Sequence, residues 1–162
     1  MKRIAILGLG NSVLGDDSVG LRVASGVEEA RDRIAATVPG LGVFQDEAGG
    51  WQILDHVEGF DVLILVDAIQ DPALETGQLA WYPRGVFRSP RISGVHNADV
   101  FQALELARGQ GLHVPGEVHV LGVGIPESVT FSEQCSPPVE AAIPAAVAAV
   151  FGKIRELVTA GG

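Results

Sequence analysis

The sequence predicts an α/β fold: a three-layer α/β/α sandwich with a mostly parallel twisted sheet of about five strands. Three observations carry this expectation. The stretch from Asp61 to Ala68 holds a continuous apolar run, Val62-Leu63-Ile64-Leu65-Val66, between two acids, as a central strand covered by helices on both faces requires. The chain opens on a second such run, Ile4-Ala5-Ile6-Leu7, followed by a glycine-rich loop and then by helical periodicity. Strand-like and helix-like segments alternate from there on, the order that builds parallel β-α-β units.

Taken in order, Val19, Leu21, Val23, Ala24, Val27, Ala30 and Ile34 recur at helical spacing, with Glu28, Glu29, Arg31, Asp32 and Arg33 on the polar face. This first helix is expected to end before Pro39-Gly40. Leu41 to Glu47 reads as the second strand. Gly49-Gly50 interrupts the chain, and Trp51 to Val57 reads as a short helix whose Trp51, Ile53, Leu54 and Val57 serve packing, Trp51 in the core or at its rim, with His56 on the surface. Leu79 to Tyr82 is a short edge strand, open to antiparallel pairing. Val86 to Val95 is irregular. His96-Asn97 opens a helix with Val100, Phe101, Leu104 and Ala107 on its apolar face. Glu117 to Gly124 is the last strand, with His119 facing one sheet surface. Val139 to Val158 is a long alanine-rich helix in which Pro144 marks a new start or a kink.

Composition limits both organisation and partners. With 162 residues, 47% hydrophobic, the chain suffices for one sizeable core, and a single domain over 1–162 is expected. The formal charge of −9, from 20 acids against 11 Lys plus Arg, opposes binding to nucleic acid and to anionic membranes. No apolar run approaches the roughly 20 residues that span a bilayer, and Ile4 to Gly8 is too short for a signal-peptide core, so a cytoplasmic protein is expected. Cys135 is the only cysteine. That excludes an internal disulfide and a multi-cysteine zinc site. It lies in a polar loop with no neighbouring cation to lower its pKa, which reads as an incidental thiol.

The opening loop, Gly8-Leu9-Gly10-Asn11-Ser12-Val13-Leu14-Gly15-Asp16-Asp17-Ser18-Val19-Gly20, resembles a phosphate site and departs from one. In the dinucleotide pattern G-x-G-x-x-G, Gly8 and Gly10 fit but Val13 takes the third place. In the P-loop pattern, Asp16 and Asp17 stand where Lys and Ser or Thr belong, and two carboxylates repel phosphate. Carboxylate oxygens at the end of a strand suit a cation instead. The simpler use of Asp16, Asp17 or Ser18 is to cap the next helix. Asp46, at the end of the second strand, would suit a ribose and keeps a nucleotide-binding, Rossmann-like enzyme as the alternative reading. Gly8, Gly10 and Asn11, with Gly49 and Gly50, are expected to shape loops that position a substrate.

In a parallel sheet, Asp17 (or Asp16) and Asp67 would share the carboxyl edge of neighbouring strands, with His96 on a later loop beside them. Two carboxylates and a histidine form a sound ligand set for a divalent transition metal. The opening Gly-x-Gly-Asn-x-x-x-x-Asp-Asp-x-x-Gly, the strand ending in Val66-Asp67-Ala68, His96 before a helix and the late Gly-Ile-Pro-Glu-Ser together resemble the [NiFe]-hydrogenase maturation endopeptidases over nearly the whole chain.

The resemblance implies a protease that removes a carboxyl-terminal extension from the hydrogenase large-subunit precursor after nickel insertion. It implies Asp17, Asp67 and His96 as the nickel-binding set and Asp16 as a residue acting directly in cleavage. The nickel would arrive with the substrate, and another divalent metal such as zinc or cadmium could occupy the site in vitro. Family members often carry Glu where this chain has Asp17, and small apolar residues where Asn97-Ala98-Asp99 follows the histidine. No Ser-His-Asp pattern and no His-Glu-x-x-His occurs, which argues against ordinary serine and zinc protease chemistry. A non-catalytic module that senses metal in a partner protein would need the same three ligands and is the remaining alternative.

Overall fold

The structure is a computed structural model, and it describes residues 1–33, 38–82, 93–94 and 97–161. The strands are β1 (Ile4–Leu9), β2 (Leu41–Asp46), β3 (Val62–Gln70), β4 (Leu79–Tyr82), β5 (Ser93–Gly94) and β6 (Glu117–Gly124). The helices are α1 (Val19–Glu29), α2 (Leu54–Val57), α3 (Asn97–Gly109) and α4 (Pro137–Ala160), with short 3-10 turns at Gly15–Ser18, Arg31–Arg33 and Gly50–Ile53. Among the described residues, no helix is long and apolar enough to cross a membrane.

The sheet runs β2-β1-β3-β6-β4. The first four strands are parallel, β4 pairs antiparallel with β6, and the two-residue β5 pairs antiparallel with the end of β3. Strand alternation sends Ile4, Ile6, Val62, Ile64 and Val66 to one face, where they pack with Val19, Val23 and Val27 of α1 and Val150 and Ile154 of α4. Ala5, Leu7, Leu9, Leu63, Leu65 and Ile69 meet Ile53, Val57, Val100 and Leu104 on the other face. Both faces being covered explains why β1 and β3 read as unbroken apolar runs.

The α/β/α sandwich and the antiparallel edge strand agree with expectation; several details differ. β1 continues through Gly8 and Leu9, because Gly8 still pairs with Gln45 and Val66. β3 runs beyond Asp67 to Gln70, held by β6 as far as Ile69 and by β5. Within the segment expected to be irregular, Ser93–Gly94 is this short strand, and 86–92 and 95 fall outside the described residues. α1 stops at Glu29 and passes into a 3-10 turn, while 34–37 fall outside the described residues. Pro144 lies inside one helix rather than at a new start. Pro144 and Glu140 are both exposed, so the Glu140 carbonyl that loses its helical donor remains open to water. Trp51, expected in the core or at its rim, is 57% exposed, whereas Ile53 and Val57 are buried.

This topology creates a switch point. The chain leaves β1 toward β2 on one side and then crosses back to β3 on the other, which opens a crevice at the carboxyl ends of β1 and β3. α1 approaches that crevice at backbone distance. A Cβ on Gly8 would stand 2.1 Å from the Gly20 carbonyl oxygen, and one on Gly20 would stand 2.1 Å from the Leu9 oxygen and 2.5 Å from the Val66 oxygen. Backbone atoms cannot yield as a side-chain tip can. Gly20→Ala is therefore expected to lower stability by about 2 kcal/mol or more, whereas Gly116→Ala, where nothing lies within 4 Å of the added atom, should stay within about 0.5 kcal/mol. Urea unfolding midpoints check this; equal midpoints for the two variants would remove the close approach as a constraint.

Candidate functional site

Between β1 and α1 the chain makes two turns. Asn11 Oδ1 accepts the Val13 N–H at 3.1 Å, and its carbonyl accepts the Leu14 N–H at 3.2 Å. Glu47, just past β2, accepts the Ser12 N–H at 2.7 Å. That backbone bond, with a second from the Ser12 side chain, holds the Glu47 carboxyl below its ordinary range. The 3-10 turn Gly15–Ser18 follows. Gly15 has φ +51°, which favours glycine, and a Cβ there would sit 3.2 Å from the Thr130 oxygen. Gly10 lets the turn fold back, since its Cβ would meet the Asp17 carbonyl oxygen at 2.4 Å. Gly8 and Gly10 are thus accounted for by backbone packing.

The turn buries both acids, leaving Asp16 9% and Asp17 2% exposed. Neither turn nor helix has a side-chain cap: the Ser18 hydroxyl donates to the Gly15 carbonyl at 2.7 Å instead of capping α1. Asp16 reaches across to the start of α4, where its Oδ1 accepts the Ser136 N–H at 2.6 Å and its Oδ2 accepts the Ser136 hydroxyl at 2.9 Å. A carboxylate there also suits the positive end of the helix dipole. Ser136 is the residue that sequence reading missed. Its signal is legible: a serine followed by Pro137 and Pro138 is a helix start, two residues before the one expected.

Asp67 is fully buried. Leu63, Leu65 and Ile69 of β3 face the layer containing α2 and α3, so strand alternation turns Asp67 to that same layer. Although β3 continues to Gln70, Asp67 stands level with the strand ends beside it: Gly8 is the last β1 partner of β3, opposite Val66. The Gly15–Ser18 turn packs against β3. The acid turn therefore lies beside the carboxyl end of β3, where Asp67 stands. His96 lies outside the described residues; the next residue, Asn97, begins α3, on the layer that Asp67 faces. Among the described residues, no group of three His, Cys, Asp or Glu is gathered as for a metal ion.

Burying carboxylates is expensive unless hydrogen bonds, a proton or a cation compensate. Carboxylate oxygen is the donor type that binds divalent cations, and one histidine added to two carboxylates suits a transition metal. The donors at this edge fit that chemistry. They do not fit a phosphate, and Asp46, the acid placed to hold a ribose, has both oxygens engaged within the protein. Its Oδ1 accepts the N–H groups of Ala48 at 2.8 Å and Gly49 at 2.7 Å, and His56 Nε2 lies 3.2 Å from its Oδ2. His56, expected to be a plain surface residue, is held there and stacks on Phe44 at a centroid distance of 5.3 Å. Gly49 serves this turn with φ +65°, and Gly50 follows at +63° in open space.

The remaining histidines lie elsewhere: His113 Nε2 is 3.0 Å from Asp61 Oδ1, and the half-buried His119 has Nε2 2.8 Å from Glu117 Oε1. Beside the acid turn, a groove of about 680 Å³ is lined by Ser12, Ser18, Arg22, Gln45, Asp46 and Glu47 among others. Arg22 donates to the Ser18 hydroxyl at 3.3 Å and to the Glu133 carbonyl. Cys135 is half-buried behind this turn, with Sγ 3.5 Å from Ser18 Oγ. Burial pushes its thiol up, away from the thiolate needed for nucleophilic attack.

Comparison with known proteins agrees with this fold. The family model described as hydrogenase maturation protease matches residues 42–153. The hydrogenase 2 maturation protease of Escherichia coli K12 is 28% identical over 170 residues, covering 95% of this chain and 92% of that protein. The solved structure of the hydrogenase maturating endopeptidase HybD from E. coli superposes with a TM-score of 0.77 at 26% identity, covering 95% of this chain and 93% of that one. The hydrogenase 2 maturation peptidase from Thaumarchaeota archaeon SCGC_AB-539-E09 gives a TM-score of 0.61 at 27% identity, over 94% and 98% of the two chains. With the family model matched over 42–153 and the fold shared over nearly the whole chain, the chain belongs to the hydrogenase maturation protease family.

Proposed function

We propose that this protease removes the carboxyl-terminal extension of a [NiFe]-hydrogenase large-subunit precursor, and that it reads the inserted nickel through Asp17, Asp67 and His96. The observation that supports the proposal is a pair of buried carboxylates, Asp17 and Asp67, 50 positions apart in the chain, one on a turn that packs against β3 and the other on β3 itself. The precursor's nickel is cargo of the substrate. Presented to two carboxylates and an imidazole, it offsets the buried negative charge, and an empty precursor lacks that attraction. Zinc or cadmium would occupy the same donors in vitro. Docking places the scissile peptide at the crevice, where water adds to its carbonyl carbon. The C–N bond breaks, leaving a carboxylate on the mature subunit and an amine on the released extension.

Two roles for activating that water follow from the chemistry: the metal as Lewis acid, or Asp16 as general base. The Ser136 bonds on both Asp16 oxygens favour the metal. The groove beside the turn, with its serines and Gln45, suits an extended peptide. The net charge of −9 fits a protein substrate rather than nucleic acid or membrane.

Incubation of the protein with nickel-loaded and nickel-free precursor, followed by mass analysis of the carboxyl terminus, tests the nickel check. Cleavage of the loaded form alone is expected; equal cleavage of both would remove nickel as the signal. Asp17→Asn, Asp67→Asn and His96→Ala should each lower processing by about 100-fold or more, with circular dichroism unchanged. Wild-type rates from two of the three would end the ligand assignment. Cys135→Ser is expected to process normally, because the raised thiol is the wrong species for attack; a folded but inactive variant would reinstate thiol chemistry.

A further inference from the structure

We propose that Asp16 and Ser136 form a clasp that positions Asp17, so that Asp16 acts through its hydrogen bonds and not as the base. The proposal rests on the assignment of Asp17 to the nickel site. A four-residue 3-10 turn does not hold its own shape, because its hydrogen bonds are poorly aligned and too few to offset the ordering of its backbone. Something outside the turn has to fix it. The segment before α4 does so along its length.

The contacts run in step. Leu14 and Ser132 form an isolated parallel bridge. The Ser132 N–H donates to the Val13 carbonyl at 2.9 Å, and the Gly15 N–H donates back to the Ser132 carbonyl at 2.7 Å. Arg22 of α1 binds the Glu133 carbonyl, and Cys135 rests on Ser18 and on the Gly15 oxygen. Asp16 and Ser136 close the series with two bonds. Asp17 is the next residue, and its N–H donates to the Leu14 carbonyl at 3.0 Å. The acid that would meet the metal is thus carried on a hook anchored at Val13–Leu14, Gly15 and Asp16.

The Ser136 hydroxyl is turned to Asp16 rather than to its own helix. An N-cap serine ordinarily accepts from the N–H of the second or third helical residue. Here Pro137 and Pro138 begin α4 and carry no N–H, and the structure shows no side-chain cap on α4. The hydroxyl donates to Asp16 instead. A proton taken by Asp16 from water would weaken both bonds and loosen the hook, so clasping and base catalysis compete for the same oxygens.

The test is processing of nickel-loaded precursor by the full chain, with urea midpoints confirming that each variant is folded under assay conditions. Asp16→Asn can still accept from the Ser136 N–H and donate to its hydroxyl, and Ser136→Thr keeps both donors. Both are expected to retain kcat within about threefold, while Asp16→Ala and Ser136→Ala each lose about tenfold or more. The double variant Asp16→Ala/Ser136→Ala should be no slower than either single one, as two halves of one contact require. Loss in Asp16→Asn equal to that in Asp16→Ala, with Ser136→Ala active, would identify Asp16 as the base and overturn the clasp. Full activity of Ser136→Ala overturns it as well. An Asp17→Asn arm separates the two proposals: if that variant processes normally, the nickel-site assignment fails and the clasp has nothing to position.

Discussion

The contact on which the site depends is the backbone approach of α1 to β1 and β3. Gly8 and Gly20 meet without a Cβ on either side, and Gly20 also touches the carbonyl of Val66, one residue before Asp67. A dinucleotide-binding fold uses its third glycine for this helix-on-strand packing. In this chain that part falls to Gly20, because the connecting turn is longer and folds into a 3-10 hook before α1 begins. Val13, which occupies the expected third position, is 45% exposed and packs no helix. The same close packing that elsewhere presents free N–H groups to a phosphate here tucks two carboxylates beneath the strand ends.

Two carboxylates at one buried edge are a stability liability that a stable fold has little reason to keep. The topology makes the liability useful. At a switch point the loops diverge and leave a crevice that side chains do not fill, so a ligand can reach groups that are otherwise covered. Under the proposed assignment the substrate's nickel adds positive charge to this acidic edge. Recognition is then an electrostatic comparison between a loaded and an empty precursor, made with the same residues that bring the peptide to the site.

The hook needs support from far along the chain. Ser136 and Asp16 are 120 residues apart, and the segment after β6 carries the chain back over the acid turn before α4 starts. α4 then packs its Val150 and Ile154 against α1 in the core. The turn is therefore pinned at both ends of one rigid layer: by glycine contacts at the start of α1 and by the clasp at the start of α4. Cys135, inside this arrangement, behaves as a small half-buried packing group whose burial keeps it protonated.

What the sequence determined by itself is whatever depends on local periodicity and local chemistry. The apolar runs of β1 and β3, the spacing of α1 and the Ala-rich face of α4 follow from neighbours within a few residues, as does the mismatch between the Asp16-Asp17 pair and any phosphate site. These sufficed for the α/β/α class, the acid-bearing edge and the family. Tertiary structure decided the rest. The strand order and the extension of β3 to Gln70 depend on which strands meet, and the union of Asp16 with Ser136 and of Asp46 with His56 depends on segments that no short window contains. Trp51 is exposed because it stands two residues before Ile53 and six before Val57, off the face those two share. Periodicity reports which face of an element is apolar, but only the packing of one element on another decides which residues share a site.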